Sequence, residues 1–150
     1  MRSILTALLV AGLAACSGAA PPELTATLQP SAPGPGYQLG GSIDSITIDD
    51  AAGTVTVQGW NMFTPKTREQ ELKVFASNAA AIESVTRSER PDVVEAIGNE
   101  DLLHSGFVLV LKMQPDAELT QLCITQSDKH YGDRLLMSYV GVTPTCFSEG

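Results

Sequence analysis

The chain is poor in the residues from which metal and nucleophile sites are built: 3 Cys and 2 His in 150 residues. A multi-ligand zinc site has little to draw on. Cationic residues are scarce too, with 9 Lys+Arg against 17 Asp+Glu and a formal charge of −8. Nucleic-acid binding rests on neutralising phosphates, and docking on anionic lipid rests on basic patches, so the balance argues against both. No Gly-rich phosphate loop is present, and no nucleophile-elbow motif presents a Ser. No enzyme activity, cofactor or metal is expected. What the chain does have is 43% hydrophobic residues against 17% charged, enough for a packed core. Its length suits one domain with a tail, not two.

Residues 1–15 read as a signal peptide. Arg2 supplies a positive start, and Ile4 to Ala15 run without a charge. That run is short of the roughly 20 residues a spanning helix needs. It ends Leu13-Ala14-Ala15-Cys16, which resembles the bacterial lipobox. The resemblance implies that the Cys16 thiol takes a diacylglyceryl group and that cleavage makes Cys16 the new N-terminus. The competing readings are a secretory signal with an incidental cysteine and a short transmembrane anchor. Each buried methylene of an acyl chain is worth about 0.8 kcal/mol, so two chains anchor a protein durably without spanning. By the same resemblance, the non-acidic Ser17 implies an outer-membrane location where two membranes exist.

Residues 16–36 read as the lipidated Cys and a Pro/Ala-rich tether. Pro21, Pro22, Pro30, Pro33 and Pro35 fall in this stretch, and Glu23 is its only charge. Proline removes backbone donors and favours the extended polyproline form. At about 3.1 Å per residue, such a tether reaches roughly 60 Å.

Residues 37–150 read as one β domain. Ser42 to Asp49 and Thr54 to Trp60 flank the turn Asp50-Ala51-Ala52-Gly53 and form a hairpin. Further strands are expected at Leu72 to Ser77, Ile82 to Arg87, Gly106 to Met113, Leu119 to Gln126 and Arg134 to Val140. Pro91 to Ile97 reads as a short helix, with Pro at its first position and Ser88 as a candidate cap. Seven short strands with one helical insertion favour an all-β, antiparallel sandwich, with a small β-barrel as the alternative. The order Gly41-Ser42-Ile43-Asp44, Val57-Gln58-Gly59-Trp60, Arg90-Pro91-Asp92-Val93 and Gly106-Phe107 resembles an immunoglobulin-like module of bacterial exported and envelope proteins. Its pattern is G-x-[LIV]-D, V-x-G-W, R-x-D-V and G-F. The resemblance implies an accessory or adhesive module without catalytic residues. This chain departs from the pattern after Trp60, with Asn61-Met62-Phe63 in place of an alanine and an acidic residue.

Trp60 and Phe107 are candidate core residues, and Asp44 and Asp92 candidate partners of Arg87 or Arg90. Possible binding residues are Trp60, Phe63 and Tyr131. With Cys16 acylated, Cys123 and Cys146 form an even pair, expected as a disulfide in an oxidising compartment. It would close a loop of about 23 residues and stabilise by roughly 3 kcal/mol. Asp128, His130 and Asp133, like His104 beside Glu100 and Asp101, hold atoms suited to a metal or a general base, but read as solvated loops. The expected function is a non-enzymatic envelope lipoprotein. It would be held on the membrane through its N-terminal lipid and bind an envelope protein or glycan. The alternatives are a small inhibitor or chaperone-like factor, and a hydrolase with an unrecognised site.

Overall fold

The structure is a computed structural model that describes residues 23–28, 41–62, 70–128 and 132–138. Cys16, Phe63, His130, Tyr131 and Cys146 lie outside them. The strands are β1 (Glu23–Leu28), β2 (Gly41–Asp49), β3 (Thr54–Asn61), β4 (Gln70–Ala76), β5 (Ala79–Ser88), β6 (Gly106–Met113), β7 (Leu122–Asp128), β8 (Gly132–Leu135) and β9 (Met137–Ser138). One helix, α1 (Pro91–Ile97), and a 3-10 turn at Glu100–Leu102 interrupt them. The strands form two sheets, ordered β1-β4-β7-β8 and β5-β6-β3-β2-β9. All pairings are antiparallel except the two-residue contact of β9 with β2. The sheets do not close into a barrel: among the described residues no ladder joins one to the other. That overturns the barrel alternative.

Alternation explains the core. Val55 and Val57 of β3, Phe107, Leu109 and Leu111 of β6, and Ile43 of β2 face Leu28, Leu72, Val74 and Ile124 of the other sheet in one buried cluster. Each fully buried aliphatic or aromatic side chain stabilises by roughly 1.5–3 kcal/mol. The apolar run in β6 is central as expected, flanked by β5 and β3. The β2–β3 hairpin closes as its sequence implies. Asp49 Oδ1 accepts a bond from the Ala52 N–H at 2.9 Å, and Gly53 takes φ +62°, which glycine adopts without steric penalty.

Four expectations need correction. The stretch read as a tether contains β1, which pairs with β4 from Glu23↔Phe75 to Leu28↔Gln70 and buries Ala26 and Leu28. Its residues alternate, and burial of Ala26 and Leu28 offsets the entropy of ordering the strand. The final strand is broken in two. Leu136 is fully buried and donates its N–H to the Ile124 carbonyl at 2.9 Å, so the chain leaves one sheet at Leu135 and joins the other at Met137. Trp60 is not in the main core: it shares the row of Thr54, Thr56 and Gln58, which faces away from Val55 and Val57. Ser88 does not cap α1, whose N-terminal flank is Arg90 with no side-chain cap.

Candidate functional site at the α1 corner

The segments quoted above for their sequence pattern meet at one corner. A bulge between Ile43 and Ser45 leaves Asp44 without a ladder partner, and such bulges re-aim side chains. Asp44 thereby reaches Arg90, whose Nη1 donates to Asp44 Oδ2 at 2.6 Å. The same guanidinium grips Asp92 with two bonds, Nε to Oδ1 at 2.8 Å and Nη2 to Oδ2 at 2.6 Å. Such a fork fixes orientation as well as charge. Arg90 is thus tied to both β2 and α1. One turn along, Val93 turns inward and packs with Leu102 against Trp60, Met62 and Val94. Trp60 is half-buried beneath the helix, a structural seat with part of its surface left open. The helix stops at Gly98, which takes φ +73° and donates its N–H to the Val94 carbonyl, a common glycine stop.

The hydrogen bonds from Arg90 and its charge hold the Asp92 carboxyl down at about 2, below its usual 3.8. Arg90 itself is raised, first by the bond to Asp92. A carboxyl depressed in the folded state lends stability above the unfolded value and loses it as pH falls through the folded one. The Asp92 side chain is 63% exposed, so screening limits the contribution to about 1 kcal/mol or less. Asp92→Asn is therefore expected to lower the urea midpoint modestly at pH 6. The difference from the parent should shrink as pH falls towards 2, as measured by fluorescence-monitored unfolding.

Behind this clamp lies a buried polar cluster that sequence reasoning did not single out. Arg87 Nη1 donates to Asn61 Oδ1 at 2.7 Å and to the Ser105 carbonyl at 3.2 Å. Gln126 Nε2 donates to the Met62 carbonyl at 2.7 Å. Asn61, Ser105 and Gln126 are fully buried. Burial pushes the Arg87 guanidinium down to about 10, leaving it charged at neutral pH. The signal was present in the alternation: Asn61 continues the row of Val55 and Val57, and Gln126 the row of Leu122 and Ile124. Arg87 pairs with Phe107 as Val85 pairs with Leu109.

Of the other candidates, Asp128 and Asp133 sit on the β7–β8 hairpin, and His130 lies outside the described residues. Asp133 is occupied by Ser127 Oγ at 2.6 Å and Lys73 Nζ at 3.0 Å, and its carboxyl is lowered, first by the Ser127 bond. His104 is exposed beside Glu100 and Asp101. Among the described residues no group of three His, Cys, Asp or Glu is placed to hold a metal. Cys123 is buried on the outward-facing row of β7 and is in a disulfide; Cys146, its expected partner, lies outside the described residues, as do Phe63 and Tyr131. An open cleft of about 910 Å³ lies at the opposite end, between the β2–β3 turn and the β6–β7 connection, lined in part by Asp49, Lys112 and Asp116.

The chain matches no known family model, no curated protein and no solved structure.

Proposed function

We propose that this chain is a non-enzymatic bacterial envelope lipoprotein, an immunoglobulin-like sandwich anchored through Cys16 that binds a protein or cell-wall partner. The observation that carries the reading is Leu13-Ala14-Ala15-Cys16 at the end of an uncharged run, with a β domain beginning soon after at Glu23. Two sheets around one core, with the last strand crossing from one to the other, suit the sandwich. The α1 corner suits a contact surface. Its clamp and helix hold a half-open aromatic in place, and a rigid aromatic binds with little entropy cost. The non-acidic Ser17 supports an outer-membrane location, and Cys123 with Cys146 supports an oxidising compartment.

Replacement Cys16→Ser tests the anchor. In cells fed labelled palmitate, the parent is expected to carry label and to need detergent for release. The variant should be unlabelled and recovered in the soluble fraction. A parent that is unlabelled and washes free overturns the proposal.

A further inference from the structure

We infer that the domain stands on the membrane with the β2–β3 turn end towards the lipid and the α1 corner away from it. The inference rests on the proposed anchor at Cys16. The strand directions sort the connections into two ends. Glu23 at the start of β1, the β2–β3 turn, the β4–β5 turn and the β6–β7 connection lie at one end. The segment from Glu89 to Ser105, with α1, lies at the other.

Only seven residue steps separate Cys16 from Glu23, and at full extension they span at most about 24 Å. An eight-residue strand such as β6 is about 26 Å long. Turning the molecule over would require a fully stretched leash laid along the whole length of the strands, a state of low chain entropy. The leash therefore disfavours an inverted domain, and on an upright one the far strand ends, where the α1 segment begins, stand no further than about 50 Å from the bilayer.

Charge opposes direct contact at this end. The end nearest the leash exposes Glu23, Asp49, Asp50, Asp116 and Glu118. Its one described cation is Lys112, whose Nζ is bonded to the Ala52 carbonyl at 2.7 Å. Against anionic lipid these carboxylates repel over a Debye length of about 8 Å. That gap is well within the reach of the leash, so the end hovers near the surface without lying on it.

The test places a fluorescent non-natural residue at Ala51 or at Glu95, both exposed, in the acylated protein purified from membranes. The protein is reconstituted in phosphatidylcholine–phosphatidylglycerol vesicles carrying an acceptor on the headgroups. Energy transfer is expected to be stronger from position 51, with a closest approach shorter by roughly 20 Å than from position 95. A flexible Gly-Ser insertion after Gly18, several times longer than the leash, is expected to shrink that difference. Equal or reversed transfer on protein whose intact mass includes the acyl chains overturns the orientation and leaves the anchor standing. An insertion without effect overturns the leash as its cause. A mass without acyl chains overturns the anchor and the orientation together.

Discussion

A chain truncated to begin at Tyr37 is expected to lose most of its stability, whereas one beginning at Pro22 keeps it. Composition alone would treat the two as equivalent, since residues 22–36, by which they differ, read as proline-rich tether ahead of the domain. The difference is β1. It contributes Leu28, 1% exposed, and Ala26, 6% exposed, to the core, and its six residues pair with β4. Truncating a single buried leucine costs about 2–5 kcal/mol, against a total of about 5–15 kcal/mol for an ordinary domain. Loss of the whole strand also bares the edge of β4, and an unpaired edge strand invites association between chains. Urea unfolding should show a lower midpoint for the shorter chain, and size-exclusion chromatography should show it as oligomer or aggregate. Equal midpoints and two monomeric profiles would mean that β1 is dispensable and that the expected tether is a tether after all.

The strand was concealed because two signals in one stretch disagree. Leu24, Ala26 and Leu28 alternate with Glu23, Thr25 and Thr27, a period-2 pattern. It is only six residues long and lies between prolines that mark an extended coil. Longer strands were legible, and Thr54 to Trp60 and Gly106 to Met113 fall where alternation and apolar content place them. The same alternation, taken one residue further, puts Trp60 in the row of Gln58 and Asn61 in the row of Val57. Size and hydrophobicity suggested the core for Trp60, but the pleat decides which face it occupies.

What alternation cannot reveal is which distant segments meet. The bulge that frees Asp44, and the distance it thereby closes to Arg90, depend on sheet pairing. So does the convergence of Asn61, Arg87 and Gln126 at one end of the core. The R-x-D pattern was visible, but its role as a fork on Asp92 that also reaches β2 emerges only once β2 and α1 are neighbours.

Gly59→Ala is expected to destabilise the domain by about 3 kcal/mol, more than an ordinary overpacking of one methyl. Gly59 pairs with Ile43 on one side and Phe107 on the other, in the core-facing row of β3, beside the bulge in β2. A Cβ there would run into the Ser42 carbonyl oxygen and lie 2.7 Å from Phe107 Cζ and 3.1 Å from Cε1. The obstacles differ in kind. The ring can be exchanged for something smaller, but the carbonyl belongs to the β2 backbone at its bulge and moves only if that strand moves. Phe107→Leu alone removes a fully buried ring and should cost about 1–3 kcal/mol. Combined with Gly59→Ala it relieves one of the two collisions. The double variant should therefore be less destabilised than the sum of the singles, with a coupling of about 1 kcal/mol. Denaturant unfolding of the four proteins measures that coupling. Strictly additive losses would mean that the ring and the glycine do not constrain each other. A Gly59→Ala variant as stable as the parent would mean that β2 yields at its bulge without loss.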